Sequence, residues 1–119
     1  MRKYATTPAE TEKLHSLGYK KQSSDFHWEN TGTEDEKLQI GACRDGENDV
    51  PAYGFQELVE SLPKTIDDDY VIELSFFAKE WFLSYKEDIE SNVVTATSSP
   101  MMFNAVFDMV VWCLEKKLI

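Results

Sequence analysis

The run from Met101 to Leu118 limits what this chain can become more than any other stretch. Ala105, Met109, Trp112 and Cys113 share one helical face, and Phe103, Val106, Val110 and Leu114 widen that stripe. Ser98-Ser99-Pro100 reads as a hydroxyl cap followed by proline at the first helical position. Lys116 and Lys117 fall at the far end, where cations suit the helix dipole. A helix this apolar cannot stand bare in water, so the rest of the chain must give it a surface to lie on.

Residues 70–86 supply the nearest one. Tyr70, Ile72, Leu74 and Phe76 alternate with Val71, Glu73 and Ser75, which is the period of a half-buried strand. Trp81, Leu83 and Tyr85 repeat the pattern, and two strands this close pair most easily as a hairpin. Lys79-Glu80 is poor chemistry for its turn, which favours Asn-Gly or Asp-Gly because both central residues need positive φ. A helix is the competing reading, since Leu74, Phe77, Ala78, Trp81, Phe82 and Tyr85 also recur at i, i+3, i+4, i+7, i+8 and i+11. On the hairpin reading the fold class is α+β. A small antiparallel sheet of about four strands carries helices on one face, with the C-terminal helix across the hairpin 70–86.

Upstream, Thr7-Pro8-Ala9-Glu10 is a capping-box pattern, and Gly18 is a natural stop, so a short helix is expected near 8–17. Asp25 to Glu29 and Lys37 to Cys43 read as strands, joined by a polar turn containing Gly32. Pro51 to Pro63 reads as a second helix that buries Phe55, Leu58, Val59 and Leu62. At 119 residues the chain is read as one domain, with residues 1–6 as a loosely held N-terminus.

Charge is the one compositional signal. The formal net charge is -10, and the excess of acid lies in residues 30–90. Such a surface opposes direct binding to nucleic acid or to anionic membranes, both of which need cationic contacts. The first residues carry no apolar run behind Arg2 and Lys3, and no stretch is apolar enough for a bilayer span, so a cytoplasmic location is expected. Cys43 and Cys113 form no paired motif and read as reduced thiols.

Four groups of residues resemble a known pattern. Pro51-Ala52-Tyr53, Gln56-Glu57-Leu58 and Leu62-Pro63 follow a strand with Phe26-His27-Trp28. They precede the aromatic segment Trp81 to Tyr85 and a closing helix with Trp112, Leu114, Glu115 and Ile119. Over about residues 10–119 this is similar to small uncharacterised proteins of gut Bacteroidetes and their phages and mobile elements. The chain departs from that pattern at Gly54, where a threonine cap is expected, and at Lys116-Lys117-Leu118, where the ending usually contains glycine. The resemblance implies a phage or mobile-element setting and a hairpin. It implies no activity and no catalytic residues.

No constellation stands out as chemistry. His15 and His27 lack a second ligand at metal spacing and read as structural. Asp45, Glu47 and Asp49 open like a calcium loop, but Val50 and Gln56 stand where glycine and glutamate are required. Cys43 beside Arg44 has no base partner, and Trp28, Trp81, Tyr85 and Trp112 read as core. No catalytic, metal or cofactor-binding residue is assigned, and no cofactor is expected. The expected function is that of a small non-enzymatic accessory protein that binds another protein. Phe77 and Phe82 point away from the helix-bearing face, and they are the candidate partner-binding residues together with Asp67, Asp68 and Asp69. The alternatives are an acidic nucleic-acid mimic that inhibits a DNA-binding enzyme, an enzyme or small-ligand binder with an unrecognised site, and a purely structural oligomer subunit.

Overall fold

The computed structural model describes residues 3–19, 24–41, 49–87 and 92–119. The chain divides into two compact units, Met1–Leu58 and Val59–Ile119. Among the described residues there are three helices and seven strands in two antiparallel sheets, so the class is α+β.

In the first unit, helix α1 spans Pro8–Ser16. Its capping box is complete: Glu10 N–H donates to Thr7 Oγ1 at 3.2 Å, and Thr7 N–H donates to Glu10 Oε1 at 2.9 Å. It ends at Gly18, whose φ of 94° lets Tyr19 N–H reach Leu14 O at 3.0 Å. Strands β1 (Phe26–Glu29), β2 (Lys37–Ile40) and β3 (Val50–Ala52) form a sheet in the order β2-β1-β3. The strand expected over 37–43 thus ends at Ile40, which stands 87% exposed; Ala42 and Cys43 lie outside the described residues.

The second helix begins later than its punctuation predicts. Val50, Pro51 and Ala52 form an edge strand, the one place in a sheet where proline's missing N–H does no harm. Helix α2 covers Phe55–Ser61 and spans the division between the units. Of its expected apolar face, Leu58 and Leu62 are buried, Phe55 is half-buried and Val59 is exposed. Gly54 holds the cap position, and a Cβ there would lie 2.9 Å from the Phe26 ring. A threonine there would have to push the Phe26 ring aside, and the cap is made from the other side. Glu57 Oε1 accepts from Gly54 N–H at 3.1 Å and from Asp25 N–H at 2.8 Å.

A hydroxyl relay ties the N-terminal segment into this unit. Tyr53 N–H donates to Thr6 Oγ1 at 3.0 Å, and Thr11 Oγ1 donates to Pro51 O at 2.8 Å. The 2.7 Å contact between the two hydroxyls must then carry the proton of Thr6. Trp28 Nε1 also donates to Thr6 O at 2.7 Å, and Ala5 pairs with Gly54 in an isolated bridge.

In the second unit, β4 (Thr65–Ile66), β5 (Tyr70–Phe77), β6 (Glu80–Glu87) and β7 (Val93–Ser99) form a sheet in that order. Residues 70–87 are a hairpin and not a helix. Phe77 pairs with Glu80, so the turn is Ala78-Lys79, one residue earlier than the alternation suggests. Helix α3 (Met102–Glu115) packs on β6 and β7. Leu83 and Tyr85 meet it from the sheet, and Phe103, Val106, Met109, Val110 and Cys113 are buried from its side. Each such large apolar side chain contributes about 1.5–3 kcal/mol.

Ser98 and Ser99 belong to β7 and do not cap α3. Met101 is the cap residue, without a side-chain bond, although Ser99 Oγ accepts its N–H at 3.1 Å. At the other end Lys117 takes the left-handed conformation usually given to glycine, with φ of 59°. Leu118 N–H then reaches Cys113 O at 2.9 Å, and Lys117 N–H reaches Leu114 O at 3.0 Å. No helix among the described residues is long and apolar enough to cross a membrane.

Candidate functional site

The β5–β6 hairpin sets up the most exposed aromatic surface in the second unit. Pairing of Ser75 with Phe82 and of Phe77 with Glu80 places both phenylalanines on the face opposite α3, as diagonal neighbours across the strands. Phe77 is 75% exposed and Phe82 is half-buried. On the α3 side, Phe76 lies opposite Trp81, with ring centroids 4.8 Å apart and planes tilted by 47°. Phe76 is 57% exposed, and Leu74 two residues before it is exposed as well. Both were expected in the core. They stand open because α3 packs on β6 and β7 and leaves the tip half of β5 bare. Periodicity identified their face, but it carried no information on how far the helix would reach across it.

The turn that carries these rings is strained. Ala78 has φ of 52° and Lys79 has φ of 65°, as a two-residue turn of this hand demands. Neither residue has glycine's freedom there, and each left-handed residue costs about 1 kcal/mol or more. Four aromatic rings therefore sit on a turn built from residues that disfavour it.

Asp67, Asp68 and Asp69 lie elsewhere. They are exposed in the β4–β5 turn, closed by the Ile66–Tyr70 pair, with Asp67 and Asp68 at φ of 52° and 59°. Phe77 is at the other end of β5, roughly 25 Å away for a strand rising about 3.3 Å per residue. The structure brings Phe77 together with Phe82 and does not bring the three aspartates to them. At the acidic end, Glu87 accepts a hydrogen bond from the Tyr70 hydroxyl and raises its pKa, with Asp69 and Asp67 adding to the effect.

The first unit holds the other polar features. His27 is buried, with Nδ1 2.8 Å from Gly41 O and Nε2 3.0 Å from Glu29 Oε1. Both partners only accept, so only the doubly protonated ring can donate to both. The Gly41 carbonyl, then Glu29, raise the His27 pKa, and Asp49 adds a further pull. This is a structural latch between β1 and the end of β2. His15 Nε2 lies 2.7 Å from the Tyr53 hydroxyl and borders an open depression of about 580 Å³ with Glu12, Thr31 and Asp49. A smaller groove of about 250 Å³ runs between Tyr4, Phe26, Leu38 and Ile40. Among the described residues no three His, Cys, Asp or Glu side chains are grouped to hold a metal ion. Asp45, Glu47 and Cys43 lie outside those residues. Cys113 is a free thiol in the α3 core, where burial pushes its pKa up to about 11. That position makes it a packing residue and a poor nucleophile.

The chain matches no family model, no curated protein and no solved structure.

Proposed function

We propose that this chain is a small non-enzymatic accessory protein that acts by binding another protein, and that the aromatic hairpin tip is its contact surface. The observation that carries this reading is the grouping of Phe76, Phe77, Trp81 and Phe82 around a strained two-residue turn, with two of the rings more than half exposed. Large rings concentrate binding energy because they bury much area with few rotatable bonds. Strain persists where the surrounding fold over-determines it, and such sites are often those that bind. The partner this tip suits is a protein with an apolar pocket. The resemblance to proteins of phages and mobile elements adds the setting in which such accessory proteins act.

The test is capture from a lysate of the source cells on immobilised protein, compared with the double variant F76S/F77S. Retention of the fold is checked by circular dichroism. The expected result is a partner held by the natural chain in high salt and lost by the variant. Equal capture by both proteins would end the proposal. A second reading, an acidic mimic of nucleic acid, is favoured by the exposed Asp67-Asp68-Asp69 turn. It requires capture that collapses as salt rises and that is indifferent to the tip variant.

A further inference from the structure

The two sheets end in four edge strands, and three of them are blunted by familiar devices. β4 has only two residues. β3 has three, one of them Pro51. β2 has four, opens with Lys37 and stops at Gly41, which has a φ of 116°. β7 has none of these protections. It runs for seven residues, Val93 to Ser99, with no charge, no proline and no glycine. Its register irregularity lies at its start, against Tyr85 and Lys86, and leaves Thr95 to Ser99 in regular pairing with β6. Among the described residues no strand of either sheet pairs with its outer side. Val93, Val94, Ala96 and Ser98 are exposed.

Charge selects the occupant. The chain has a net charge of -10, so two copies repel wherever their acids approach. Residues 91–107 contain no charged side chain at all. β7 lies inside that neutral run, so two copies can pair along it with no acid on either of the joined strands. A strand paired antiparallel with its own image about a two-fold axis must also tolerate its central residue facing itself. The middle residue of Val93–Ser99 is Ala96, which is small, uncharged and exposed on the face away from α3.

We infer that β7 is an interface between two copies of this chain, paired antiparallel and centred on Ala96, so that two four-stranded sheets join into one of eight. The backbone supplies the hydrogen bonds, as in other cases of strand addition. The short β-branched and hydroxyl side chains of Val94 to Ser98 let the strands close. This surface is separate from the aromatic tip, so it stands or falls independently of the proposed function.

Light scattering after size exclusion, over a concentration series at low and high salt, provides the test. The natural chain is expected to dimerise with rising concentration, and more readily at high salt, which screens the repulsion between acidic bodies. A96K and A96E, each alone, place like charges face to face across the axis and are expected to be monomeric with native circular dichroism. Mixed in equal amounts, they place Lys against Glu and restore the dimer. Should either lose its native spectrum, A96R or A96D carries the same charge in its place. F76S/F77S is expected to dimerise normally. A natural chain that is monomeric at every concentration overturns the inference. So does a dimer that survives both single variants, or a mixture that stays monomeric.

Discussion

Removing the Glu57 carboxylate should do more damage than any other single change to a described acidic residue of the first unit. The side chain is 3% exposed, and one oxygen takes two backbone amides, Asp25 N–H at 2.8 Å and Gly54 N–H at 3.1 Å. In E57A the Gly54 amide loses its partner in a buried place, and the Asp25 amide loses its partner in a part-buried one that water can reach. An unsatisfied buried donor costs about 1–3 kcal/mol and a partly solvated one less, so the pair amounts to roughly 1–4 kcal/mol. A chain of this size is stable by only about 5–15 kcal/mol, so the loss should be plain in a melt. With roughly 3–6 °C of melting temperature per kcal/mol at this length, the fall is on the order of 10 °C. E57Q separates the acceptor from its charge. Its amide oxygen can still take both bonds, at about half the strength of a charged acceptor, which leaves a cost of about 1–2 kcal/mol. Thermal and urea unfolding followed by circular dichroism measure both variants. An E57A protein within about 0.5 kcal/mol of the natural one, the range of an ordinary surface change, refutes the bond accounting. E57Q as damaging as E57A refutes the claim that a neutral acceptor in the same place keeps part of the effect.

Three further outcomes are expected. Because the folded state raises the His27 pKa above its ordinary 6.5, its stabilisation is fully present below that value and is lost as pH rises through the raised one; urea midpoints should fall from pH 6 to pH 8, and H27Q should flatten that part of the profile. Replacing Ala78-Lys79 by Asn-Gly relieves two left-handed residues and should stabilise the protein by about 1–2 kcal/mol in urea unfolding, without moving the tip rings. Cys113, buried with its pKa raised to about 11, should resist a thiol reagent at neutral pH in the native protein and react at once in denaturant; fast native labelling at that residue would contradict its placement in the core.

The hairpin and the closing helix were legible because each shows one clean period: alternation over Tyr70 to Phe76, and a wide apolar stripe from Phe103 to Leu114. β7 was hidden for a physical reason. Val93 to Ser99 does not alternate apolar with charged, and its Ser-Ser-Pro ending is also what a helix start looks like. β3 was hidden because Pro51 suits a first helical turn as well as an edge strand. The burial of Glu57 rests on partners 32 and 3 residues away, and no local pattern announces the first of them. Phe77 and Phe82 were visible as an outward pair, while Phe76 and Leu74 were not, since their exposure depends on where a helix stops across the sheet.

The closure of the hairpin by only Ala78 and Lys79 also governs how such a chain can vary over time. The Phe77 ring, three-quarters exposed, answers to little packing within the fold, whereas Phe76 and Trp81 pack on each other. The number of residues is not free. One inserted or deleted residue would shift β6 by a single step against β5, exchange the two faces of the strand, and turn Leu83 and Tyr85 out to water while Phe82 turned in. A lineage of this fold should therefore keep a hairpin of constant length.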